Sequence, residues 1–85
     1  MHKVTGYMLS YCPWCKRTKK FFQEQEIEFE FIDFDLQDEE GQKRIEEEMM
    51  KNSRGGISFP YVVIDEIVVV GYNPARYKQV LALTV

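Results

Sequence analysis

The chain has 85 residues, 45% hydrophobic, 14% aromatic and 29% charged, with a formal net charge of −3. A chain of this size is one domain with a real but small core, and its mildly acidic balance argues against nucleic acid, which asks for a basic face. Two cysteines cannot build a disulfide scaffold and so fit a reducing compartment; without a basic-then-apolar leader in MHKVTGYMLS or a membrane-length apolar run, the expectation is a soluble, cytoplasmic monomer with no membrane partner.

Lys3 to Leu9 is the first predicted strand. Its apolar side chains fall on both alternations, Val4 and Met8 against Tyr7 and Leu9, which suits a central strand. A helix follows from Pro13, whose missing N–H suits the first helical position, to about Glu26. Thr18, Phe21, Phe22 and Gln25 mark its inner side. Glu28 to Phe34 is the second strand, with Phe29 and Phe31 on one face and Glu28 and Glu30 on the other. Such alternating charge guards an edge strand against foreign pairing.

Asp38 to about Lys51 is a second helix, with Asp35 or Asp38 as its cap, Ile45 and Met49 facing inward, and Glu39, Glu40, Glu46 and Glu47 solvated. Asn52-Ser53-Arg54-Gly55-Gly56 reads as a loop. Tyr61 to Ile64 and Ile67 to Val70 read as a hairpin around Asp65-Glu66, a dipeptide that specifies no turn type. Asn73 caps a last helix, Pro74 takes its first position, and Tyr77, Val80, Leu81 and Thr84 form its buried stripe. The order β-α-β-α-β-β-α implies an α/β fold, a four-stranded mixed sheet with helices on both faces.

Cys12-Pro13-Trp14-Cys15 sits where the first strand hands over to the first helix. The thiolate is the nucleophile in disulfide exchange. A helix N-terminus favours that anion through unsatisfied N–H groups and the helix dipole. Cys12 is therefore the expected nucleophile, exposed and activated. Cys15, one turn into the helix, is the expected resolving thiol, more buried, and together they form a redox-active disulfide.

Lys16, Arg17, Lys19 and Lys20 oppose the helix dipole but favour a nearby thiolate and attract acidic partners; a solvated helix face explains them equally well. Tyr11, Pro13 and Trp14 flank the sulfurs as candidate substrate contacts. Ser58, Phe59 and Pro60 open the third strand, where the backbone of Phe59 is a candidate for pairing with an extended substrate. Spacing alone favours an ordinary trans Pro60. The same cysteines would also serve a metal or iron–sulfur carrier, but they supply two ligands where four are needed. His2, the only histidine, reads as a loose N-terminal residue. No metal site is assigned.

CPWCKRTKKFF after the first strand, SFPYVVID at the third and Gly71-Tyr72 after the fourth resemble the glutaredoxins of the thioredoxin-fold superfamily, over nearly the whole chain. The resemblance implies a cis Pro60, a substrate site including Gly71, Tyr72 and Asn73, no tightly bound cofactor, and protein disulfides as substrates. Two features depart from glutathione-using members. Leu9 stands where they carry Lys, and Gly71-Tyr72-Asn73-Pro74 stands where they carry a carboxylate for the γ-glutamyl group. Gly-aromatic-x-Pro is instead similar to the redoxins that serve ribonucleotide reductase and draw on thioredoxin reductase, whereas CPWC is similar to the glutathione users. The implied electron source is therefore glutathione or a reductase.

Overall fold

The computed structural model describes residues 2–52 and 57–83. Of the expected loop, Asn52 ends a helix, and the other four residues lie outside the described residues, as does Thr84. The elements are β1 (Val4–Met8), α1 (Pro13–Glu24), β2 (Phe29–Asp33), α2 (Glu39–Asn52), β3 (Tyr61–Ile64), β4 (Ile67–Val70) and α3 (Pro74–Leu83). A short 3₁₀ turn, Phe34–Leu36, precedes α2 and has no signal in the sequence.

The sheet order is β2-β1-β3-β4, with β1 parallel to β2 and antiparallel to β3, and β4 closing an antiparallel hairpin. β1 is central and β2 is an edge, as their side-chain patterns predict. The alternation along β3 splits the core between the two faces. Val62 and Ile64 join Val4, Met8, Phe22, Tyr77 and Val80 under α1 and α3. Tyr61 and Val63 meet Ile45 and Met49 of α2. The fold is therefore an α/β sandwich with helices on both faces, the thioredoxin-type arrangement expected.

The caps decide where each helix starts. Asp38 accepts the Gly41 N–H at 2.7 Å and caps α2, while Asp35 is used elsewhere. Asn73 accepts the Arg76 N–H at 3.1 Å and caps α3. α1 stops earlier than expected. Gln25 is its exposed C-cap rather than an inward residue, and Glu26 turns the chain out at φ 58°. At the β3–β4 turn Asp65 and Glu66 both take positive φ, 47° and 77°, the pairing that matches hairpin twist. The Asp65 carboxylate accepts the Lys3 N–H at 2.7 Å and lies 2.6 Å from His2 Nδ1. His2 is thus tied to the hairpin turn, contrary to the loose end expected.

Gly6 is paired on both sides, with Phe31 and with Val62. A Cβ there would collide with the Tyr61 carbonyl and press the Val62 Cα at 3.2 Å, both backbone and unable to swing aside. Gly6→Ala should lower unfolding stability by about 3 kcal/mol, read as a lower denaturant midpoint with an unchanged slope.

Candidate active site

β1 ends at Met8 in the middle of the sheet, so the chain leaving it emerges at the centre of one sheet margin. Ser10 donates both its N–H, at 2.8 Å, and its hydroxyl to Asp35, which holds that carboxyl below its ordinary value. This bond fixes the approach to Cys12. Cys12 then donates its N–H to the Leu9 carbonyl at 3.2 Å and stands at the N-cap of α1. Its sulfur accepts the Cys15 N–H at 3.3 Å.

Both cysteines are free thiols. Cys15 is 1% exposed and Cys12 only 8%. The order is the expected one, but Cys12 is not the exposed sulfur anticipated. A capping side chain must fold back over the first turn, and here that places it in the core cluster with Cys15. Burial, then the hydrogen bond with Cys12, pushes the Cys15 thiol up to about 12. Lys19, four residues on, pulls the other way. Its ammonium lies 3.8 Å from Asp33 Oδ1, an oxygen buried without a hydrogen-bond partner.

Beside the sulfurs, Trp14, Phe59, Pro60, Gly71 and Tyr72 line a groove of about 230 Å³. Trp14 is half-exposed and stacks on Tyr72 with ring centroids 5.7 Å apart. The Arg17 guanidinium lies 4.6 Å over the Trp14 ring. The Phe59-Pro60 bond is cis, and the Pro60 carbonyl accepts the Gly71 N–H at 2.8 Å. Gly71 takes φ 91°, which suits a residue without Cβ.

Pro13, Tyr11, Ser58 and Asn73 do not line this groove. Pro13 is the exposed first residue of α1, Tyr11 is 71% exposed, Ser58 is half-buried on the approach to Phe59, and Asn73 is occupied by its cap. Leu9 packs against the core. A larger cleft of about 580 Å³, lined by His2, Thr5, Glu28 and Glu30 among others, lies at the opposite end of the sheet. Among the described residues, no three His, Cys, Asp or Glu side chains form a metal-holding group, and no helix is long and apolar enough to cross a membrane.

Sequence reasoning placed Tyr77 only in the core. Its hydroxyl donates to the Gly71 carbonyl and lies 3.2 Å from Thr18 Oγ1, joining α1, α3 and the groove wall. A buried Tyr on an apolar stripe needs a partner for its hydroxyl, which is the signal that could have marked it.

The Cys15 thiol should show itself in the pH dependence of stability. Below about pH 9, its ordinary value, folded and unfolded chains both keep the proton. From there towards about 12 the unfolded chain releases a proton that the native chain retains, so stability falls. The unfolding free energy of the reduced protein, from urea titrations, should drop between about pH 9 and 10, by at most about 1.4 kcal/mol per pH unit. Cys15→Ser should flatten that slope.

Residues 4–69 match the glutaredoxin family. A glutaredoxin-like 8.6 kDa protein in the rubredoxin operon of Clostridium pasteurianum is 31% identical over 75 residues, covering 88% of this chain and 92% of the relative. The crystal structure of a glutaredoxin from Archaeoglobus fulgidus superposes with TM-score 0.84 at 37% identity, over 95% of this chain and 87% of that one. Methanoredoxin from Methanosarcina acetivorans gives 0.82 at 28% identity, over 91% and 81%.

Proposed function

The chain belongs to the glutaredoxin family, and from that premise we propose that it is a dithiol-disulfide oxidoreductase acting on protein disulfides through Cys12 and Cys15. The observation that carries this reading is the Cys12 sulfur held as the acceptor of the Cys15 N–H at a helix N-terminus. That arrangement sets an N–H donor and the positive end of a helix at the sulfur that would attack a disulfide.

The Cys12 thiolate attacks one sulfur of the substrate disulfide and expels the other as a thiolate, leaving a mixed disulfide. Cys15 gives up its proton and attacks the Cys12 sulfur. The Cys12–substrate bond breaks, the substrate sulfur leaves and takes up a proton, and a Cys12–Cys15 disulfide remains. Two electrons pass from the dithiol to the substrate. The high Cys15 value keeps the second thiol protonated until the mixed disulfide forms. The groove of Trp14, Phe59, Pro60, Gly71 and Tyr72 receives the chain around the substrate cysteine, with the Phe59 backbone available to an extended segment. Ribonucleotide reductase is one such substrate, on the similarity of Gly71-Tyr72-Asn73-Pro74 to the redoxins that serve it.

The electron source is a flavoprotein reductase of the thioredoxin reductase type rather than glutathione. Leu9 supplies an apolar contact to the core in place of a cation, and Asn73 is occupied by the Arg76 N–H. Two charge-assisted anchors for glutathione are thereby absent, each worth about 1.5–3 kcal/mol.

With a disulfide-bonded protein substrate, NADPH and thioredoxin reductase should drive turnover at least about tenfold faster than NADPH, glutathione and glutathione reductase. Equal rates would refute the choice of reductant. Cys12→Ser should abolish turnover, and Cys15→Ser should accumulate a mixed disulfide visible by mass. Retained turnover in Cys12→Ser would refute the catalytic assignment itself.

A further inference from the structure

A second groove, of about 330 Å³, runs along α1 past Arg17, Lys20, Phe21 and Glu24 and is closed by Tyr72. Tyr72 also walls the groove beside the cysteines. Tyr72 thus stands between the two grooves, and a chain lying over Pro60 reaches α1 by passing it. The two grooves differ in chemistry. The first is apolar and aromatic, while the second carries two cations at its near end and one carboxylate at its far end.

Arg17 is the distinctive residue. Among the described residues no carboxylate stands within ion-pair distance of it. Its guanidinium carbon instead lies over Trp14, 4.6 Å from the ring centre, and Trp14 is in turn stacked on Tyr72. The contact holds the cation beside Trp14, and with no carboxylate paired to it the guanidinium can donate a forked bond to one. Lys20, one turn on, meets Glu24 at 3.9 Å in a wide-open pair that competes weakly for either partner.

We propose that this second groove docks an acidic side chain of the disulfide-bearing partner, two or three residues from the cysteine under attack. The spacing follows from the helix. The Arg17 backbone lies five residues beyond Cys12, about 7.5 Å along the axis at ~1.5 Å per residue, and its guanidinium reaches back over Trp14. An extended chain covers that distance in two to three residues at ~3.3 Å each. Glu24 bars a longer acidic run from the far end. The inference builds on the disulfide-reductase reading and adds what that reading leaves open, the sequence of the preferred substrate.

The test uses disulfide-bridged peptides identical except for Glu, Gln or Lys at the second and third positions from one cysteine. The wild-type chain should reduce the Glu peptide about tenfold faster in kcat/KM than the Gln peptide, and the Lys peptide slowest. Arg17→Gln should bring the Glu-to-Gln ratio below about two. Lys78→Gln, the same charge change on the exposed surface of α3, should leave the ratio intact. Equal rates for Glu and Gln peptides in the wild type, or loss of the ratio in Lys78→Gln, would overturn the proposal. Binding of serine-for-cysteine versions of the peptides, followed by NMR at the Arg17 guanidinium, separates docking from chemistry. A Glu peptide that perturbs Arg17 but whose cysteine form is never reduced refutes the redox reading and supports the groove. Reduction without Glu preference does the reverse.

Discussion

The N–H of Cys15 points at the Cys12 sulfur across 3.3 Å, and the helix that supplies it can stand only where β1 ends. Several other choices in the chain follow from that bond. Pro13 occupies the one position of the first turn where a missing N–H costs nothing. β1 must be central, so that its end opens onto the middle of a sheet margin rather than onto a flank. The Ser10–Asp35 pair then secures the three residues between strand and sulfur. A conventional oxygen cap would hold the helix as well. Sulfur in its place makes the same orphan donor serve both the helix and a reactive group.

Using the cap this way commits both thiols to the core, since Cys12 and Cys15 join the cluster of Phe22, Val62 and Tyr77. In a chain with so small an interior the reactive atoms cannot be set apart from the packing. Burial sorts the two sulfurs. Cys15, beneath the first turn, is pushed up strongly, and Lys19 beside Asp33 offsets part of that cost. Cys12 is nearly covered, and the aromatic groove of Trp14, Phe59 and Tyr72 lies beside it. Trp14 is held by both Tyr72 and Arg17.

Much of the fold was legible because its signals are local. Phe29 and Phe31 alternating with Glu28 and Glu30 announced an edge strand, and two apolar alternations announced a central one. Asp38 and Asn73 cap because their side chains reach an N–H three residues ahead, a distance that spacing encodes. Contacts between distant residues carried no such signal. His2 meets Asp65 across a separation of 63 residues and Thr18 meets Tyr77 across 59. Neither pair has a pattern along the chain. The positive φ at Glu66 was equally hidden, since hairpin twist imposed it on a residue that does not favour it. At the site, the cysteines and Pro60 stood out by motif. The burial of Cys12 and the perch of Arg17 on Trp14 depend on how α1 meets the 71–72 corner.

That corner is held from two sides. The Tyr77 hydroxyl joins the Gly71 carbonyl and Thr18, while the Gly71 N–H is held by Pro60. α3 is therefore a buttress for the groove as well as a cover for the sheet. The wall opposite Trp14 is propped from a helix that contributes no lining residue to it. Grip on the partner and packing of the dithiol thus share a support, because Tyr77 also meets Thr18 of α1 and lies in the cluster that buries both sulfurs.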